Sequence, residues 1–172
     1  MMTRTGIVLL GCVALYAESV AGVRWTAPAG WKSQGERPMR AATYDIAPAA
    51  GDHDGAECAV YFFGAGQGGS IEANIERWKG QLHGPGGKPT DAQVKKRTIH
   101  DLAVTTVDAS GEYSGMGGPM AGGQTVKSGY RLLGAIVEGP GGNVFIKFTG
   151  PAKTIAANLG KFEQLLASFV KG

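Results

Sequence analysis

Cysteine and histidine are almost absent, with two and three residues respectively in a chain of 172. One of the two thiols, Cys12, lies in an N-terminal apolar stretch that reads as a leader, so the mature chain keeps Cys58 alone and an internal disulfide is excluded. Cys58 alternates with Val60 and Phe62 along a strand pattern, the setting of a buried, inert thiol rather than of a nucleophile or metal ligand. The histidines His53, His83 and His100 fall in loops or at a strand end with no motif around them, and no G-x-S-x-G occurs, so hydrolase chemistry has no signature here. Charge is sparse too: Asp, Glu, Lys and Arg make up 18% of the chain, with a net charge of +3. The basic residues form a single cluster, Lys95-Lys96-Arg97, at the start of a strand. A nucleic-acid surface needs a concentrated basic face interleaved with aromatics, so nucleic acid is not an expected partner. No apolar run approaches the roughly 20 residues of a membrane span, and the mature chain is expected to contain none.

The longest such run, Ile7 to Ala17 (IVLLGCVALYA), follows the positive Arg4 and precedes Ser19-Val20-Ala21, a small-x-small cleavage pattern ahead of Gly22. Residues 1–21 therefore read as a secretory signal peptide and residues 22–172 as a single domain, secreted or periplasmic. Leu9-Leu10-Gly11-Cys12 resembles a lipobox. It leaves only four apolar residues before the cysteine, and Leu10 is bulky for its place, so lipid anchoring at Cys12 is the lesser reading.

What is plentiful is apolar surface, at 43% of residues, and glycine, at 29 residues. The first argues for a folded core and the second for many turns. Strand patterns run over Val23 to Thr26, Arg40 to Ile46, Glu57 to Phe63, Val94 to His100, Ala103 to Tyr113, Tyr130 to Glu138 and Asn143 to Thr149. In Tyr130 to Glu138 both alternating sets are apolar, which requires cover on both faces. Ile71, Ile75, Trp78 and Leu82 predict a helix from Ser70 to about Leu82, with Ser70 as N-cap and Glu72 near the positive end. Ile155, Leu159, Phe162, Leu165, Leu166 and Phe169 predict a longer one from Lys153 to about Val170. Hairpin connections and one helix per face give an α+β fold, a mostly antiparallel sheet sandwiched between two helices.

The stretch Gly64-Ala65-Gly66-Gln67-Gly68-Gly69-Ser70 follows a strand, opens a helix and contains G-x-G-x-x-G. A dinucleotide site also needs a parallel crossover strand and an acidic residue about 20 residues on. That spacing lands on Asp91, in a polar link ahead of a hairpin, so no nucleotide cofactor is expected. Glycine there supplies positive φ and close backbone approach, while the bare amides of Gly68, Gly69 and Ser70 could hold an anion. Asp52-His53-Asp54 with Glu57 lacks a recognised metal spacing, and no metal is expected. In the second glycine-rich loop, Ser114 to Ser128, Met116, Gly117, Gly118 and Met120 offer adaptable thioether contacts to a partner. Packing on the sheet edge is the plainer reading, and Cu(I) has no visible third soft ligand.

The element order, together with Gly30-Trp31, MRAATYDI, AVYFFGAGQGGSIEANIERW, MGGPMAGG, LLGAIVEGP and FTGP, resembles PsbP-like proteins and a group of small secreted bacterial proteins. The resemblance implies an α/β/α sandwich acting as a binding or assembly module. The expected activity is non-enzymatic: a monomer holding a protein or small ligand of the cell envelope through Gly66, Gln67, Gly68, Gly69 and Ser70 and the Met116 to Met120 loop. The alternatives are an enzyme whose site assembles only in space, or a structural part of an envelope complex.

Overall fold

Alternation of apolar and polar side chains lays down one long antiparallel sheet, whose two apolar faces are then covered by different elements. The computed structural model describes residues 17–114 and 126–172. In chain order these form β1 (Ala17–Val20), β2 (Val23–Thr26), β3 (Lys32–Ser33), β4 (Arg40–Ile46), β5 (Ala56–Tyr61) and α1 (Ile71–Lys79). They continue with β6 (Leu82–His83), β7 (Ala92–Ile99), β8 (Leu102–Tyr113), β9 (Lys127–Gly139) and β10 (Gly142–Pro151). The chain closes with α2 (Ala152–Ala157), α3 (Leu159–Ala167) and β11 (Val170–Lys171). The large sheet runs β3-β4-β5-β10-β9-β8-β6, with β7 also paired to β8, and a small sheet runs β1-β2-β11. Every strand pair is antiparallel.

The architecture is therefore the expected α+β sandwich. Leu132 and Ile136 of β9 pack under α1 with Ile75, Trp78, Leu82 and Phe145. Leu133, Ala135 and Val137 of the same strand face the other layer, where Phe162, Leu165, Leu166 and Phe169 of the C-terminal segment meet Trp25, Trp31, Tyr44 and Phe148. Both faces of β9 are thus buried, as its doubly apolar pattern requires. Gly134, midway along β9, lets the Trp78 ring lie directly on the backbone: a Cβ there would stand 2.4 Å from its Cζ3.

Three elements differ from the periodicity. The terminal helix is two helices, broken at Asn158 (φ −112°, ψ 9°). Asn158 Nδ2 donates to Thr154 O and its Oδ1 accepts from Trp31 Nε1, so one side chain satisfies both the interrupted backbone and a core indole. The first helix stops at Lys79 with Gly80 as its cap, and Leu82 reaches the same apolar cluster from strand β6, paired to Tyr113. Its place in the helical stripe was a coincidence of spacing. Finally, Ala17–Val20, inside the stretch read as leader, pair residue for residue with β2. Glu18 Oε2 accepts from Trp25 Nε1 and from the hydroxyl of buried Tyr44, and Ala21 O accepts from Gly141 N.

Candidate functional site

The helix Ile71–Lys79 is only nine residues long, about 13 Å at 1.5 Å per residue, and lies over β8 and β9. It leaves the β4-β5-β10 half of that sheet face without a helix. Side chains of this half-face follow from register: Lys147 stands opposite Ala59, itself opposite Thr43, while Thr149 stands opposite Glu57, itself opposite Asp45. The small residues in the first row and longer ones around it leave a cleft of about 530 Å³. Arg40, Glu57, Lys147 and Thr149 line its floor, and Tyr61, Tyr113 and Tyr130 its walls.

Lys147 is the chemical centre of this cleft. Its ammonium donates to Gln81 Oε1 (2.5 Å) and Tyr113 Oη (3.0 Å) and sits 5.1 Å from the Tyr113 ring centroid. Burial first, and the nearby Arg40 and Arg77, pull its pKa down to about 8 against the opposing pull of Glu57. Two of its three protons are engaged, leaving one for a ligand. Arg40 lies 5.2 Å from the Tyr61 ring centroid and brings Nη1 to 3.0 Å from Glu57 Oε1. That approach is an ion pair, and among the described residues the buried Nη1 makes no hydrogen bond. Thr149 Oγ1, also buried, has no hydrogen-bond partner among the described residues. Burial holds the phenols of Tyr61 and Tyr113 above their ordinary pKa, so both remain neutral donors and acceptors.

The cleft's rim is fastened to the rest of the fold. Tyr113 and Tyr130 stack with centroids 5.7 Å apart, and Tyr130 Oη and Lys127 Nζ both donate to Asp54 Oδ2. Asp52 accepts from the backbone N–H and hydroxyl of Thr154 in the first turn of α2. The acids of the Asp52-His53-Asp54 stretch thus anchor a loop. Among the described residues no group of three or more His, Cys, Asp or Glu could hold a metal ion.

The glycine turn occupies a different place. Ser70 caps α1 by accepting from Ala73 N, and Asn74 Nδ2 donates to Gly68 O and Ser70 O, closing the turn on itself. Gly68 has φ +90°, and a Cβ on it would stand 2.8 Å from the rings of Phe63 and Phe145. Gly64 and Ala65 touch Gly142 in the β9–β10 hairpin. Gly66, Gln67, Gly68, Gly69 and Ser70 therefore sit at the hairpin end of the sheet, whereas Tyr113 and Lys127, which flank residues 115–125, lie at the far end of β9. With 13 residues in β9, the two ends are about 40 Å apart. Met116, Gly117, Gly118 and Met120 lie outside the described residues. Nor does β7, which carries Val94, run beside β5: it pairs antiparallel with β8 alone, so the parallel unit that a dinucleotide site needs is replaced by a hairpin.

Sequence reading missed the cleft, although a signal was present: Lys147 is a single charge in the centre of the apolar strand NVFIKFTG.

No protein-family model and no curated protein matches this chain. Solved structures do. The Pseudomonas aeruginosa protein PA94, of unknown function, aligns at a TM-score of 0.51 and 13% identity over 90% of this chain and 94% of its own. Cyanobacterial PsbP from Synechocystis sp. PCC 6803 aligns at 0.51 and 12% identity, over 96% of each chain. The fold is PsbP-like, and at such identities the likeness concerns fold alone. Among the described residues no helix is long and apolar enough to cross a membrane.

Proposed function

We propose that this chain is a non-enzymatic binding module of the cell envelope that holds a polar ligand or protein segment in the tyrosine-walled cleft over β4, β5 and β10. One observation carries the reading. Among the described residues Thr149 Oγ1 is buried in that cleft with no hydrogen-bond partner, and Arg40 Nη1 is held there by its ion pair to Glu57 without a hydrogen bond, whereas buried polar groups are normally satisfied. A ligand bearing acceptors would complete them. Tyrosine walls suit this role, because each ring gives a large rigid contact with a polar tip. The envelope location is supported by Arg4, the apolar Ile7 to Ala17 and the small residues that follow. Met116 and Met120, joined in the chain to the strands of Tyr113 and Tyr130, are proposed to add adaptable contacts to the same partner.

The test is site-specific photocrosslinking in the native compartment. A photoreactive residue at exposed Asp45, on the cleft, is expected to give a discrete adduct, and one at exposed Lys95, on β7, none. Equal labelling at both positions, or none at Asp45, refutes the reading.

A further inference from the structure

Beside the cleft lies a second, smaller cavity of about 190 Å³, and Tyr61 and Lys147 belong to the walls of both. Its remaining lining is Phe63, Arg77, Trp78 and Phe145. Among the described residues four aromatic rings surround the space, and its only charged lining groups are two cations, with no acid among them. The rings are set for a further ring: Phe63 is tilted 53° to Phe145 at 5.6 Å, and stacked on Tyr61 at 6.0 Å. Size narrows the occupant. An apolar cavity of about 150 Å³ accommodates benzene, so 190 Å³ fits one ring with a short side arm and excludes a long acyl chain.

From this lining we propose that the second cavity is a subsite for an aromatic carboxylate, its ring among Phe63, Trp78 and Phe145 and its carboxylate held by Lys147 and Arg77. The proposal rests on the reading of the cleft as a ligand site and extends it. Gly68 has a part without touching the ligand. Its missing Cβ lets Phe63 and Phe145 close the inner wall. The acid can belong to a free small molecule or to the terminal carboxylate of a peptide ending in phenylalanine, whose preceding residues would then run into the larger cleft.

The probes are 3-phenylpropanoate, the tripeptide Gly-Gly-Phe, the neutral 3-phenylpropanamide and octanoate, titrated by calorimetry against the purified full domain. At least one of the two aromatic acids is expected to bind saturably at pH 7, with Kd on the order of 100 μM for about ten heavy atoms. Tighter binding of the tripeptide assigns the site to a peptide terminus, and tighter binding of the free acid to a small molecule. The amide and octanoate are expected to be at least about tenfold weaker, as is the better acid against Lys147→Met or Arg77→Gln. The groups facing Lys147 are Gln81 and Tyr113, Tyr61 and Glu57 of β5, Arg40 of β4 and Arg77 of α1. Burial raises the pKa of Tyr61 and Tyr113, so loss of the Lys147 proton is expected to weaken binding about tenfold between pH 7 and 9.5. Binding of the amide or octanoate as tight as that of the acids, or no binding of either acid up to 10 mM, overturns the subsite. The Asp45 crosslink does not depend on this cavity, so it reports separately on the cleft.

Discussion

Lys147→Met takes an ammonium out of a mostly buried site and puts a side chain of similar length in its place. In the folded chain the Lys147 pKa falls from 10.5 to about 8, chiefly through desolvation. Between those values the unfolded chain keeps a proton that the folded chain has released, so the unfolded state binds more protons and stability rises with pH. From pH 7 to 9.5 the rise is about 2 kcal/mol, and the whole penalty at neutral pH is about 3 kcal/mol. Methionine removes that penalty but leaves Gln81 Oε1 without its donor, at a cost of about 1 to 2 kcal/mol. The variant is therefore expected to be about 1 to 2 kcal/mol more stable than the parent at pH 7. It should also lack the 2 kcal/mol rise toward pH 9.5. Urea denaturation followed by tryptophan fluorescence at both pH values reads the two quantities. Both quantities are read as the difference between parent and variant, because Cys58, whose thiol pKa burial raises, acts with the opposite sign in both proteins as the unfolded thiol ionises. The upper pH stays below 10 because Tyr61 and Tyr113, whose folded pKa values are raised, do the same once unfolded tyrosine ionises. A variant less stable than the parent at pH 7, with the same pH dependence, would show that Lys147 is a structural tether and refute the reasoning.

Gly134→Ala places a Cβ 2.4 Å from the Trp78 ring and is expected to lower stability by about 1 to 3 kcal/mol in the same denaturation assay. Gly68→Ala combines a φ of +90° with 2.8 Å approaches to two phenylalanines, so a comparable loss is expected, about 1 to 3 kcal/mol, together with weaker aromatic-acid binding by calorimetry. A chain starting at Gly22 lacks β1 and leaves the buried Tyr44 hydroxyl without the Glu18 acceptor. It should be about 1 to 3 kcal/mol less stable than one starting at Glu18 in the same denaturation assay.

The fold was legible wherever burial obeyed a single period. In Tyr130 to Glu138 two apolar faces demanded two layers of cover, and α1 on one side with α2 and α3 on the other supply them. Short hairpin links forced antiparallel pairing, and the His100–Asp101 turn, with positive φ at both residues, is one of them. Periodicity failed at the ends of elements, where side-chain capping outweighs hydrophobic spacing. Nothing in the stripe from Ile155 to Phe169 marks Asn158 as a break, because the break depends on Trp31, 127 residues away, needing an acceptor. Leu82 satisfies the helical spacing and is buried as expected, yet it pairs with Tyr113 in a strand.

The site was far less legible, for a reason visible at Arg40. Strict alternation puts Arg40 on the side of Ala42, Tyr44 and Ile46, which is the core face, where a guanidinium would be costly. The register between β4 and β5 shifts between Arg40 and Ala42, a bulge that turns Arg40 to stand opposite Tyr61 on the other face. Only after that shift can it lie over the Tyr61 ring, approach Glu57 and share a cleft with Lys147, which comes from a strand more than 100 residues later. A bulge leaves almost no trace in composition, and the cleft exists because α1 is too short to cover this half-sheet, a property of Gly80 and the turn to β6 rather than of any residue in the cleft. The glycine motif is conspicuous in sequence because positive φ demands glycine, while the cleft is assembled from ordinary Arg, Lys and Tyr residues brought together by register alone.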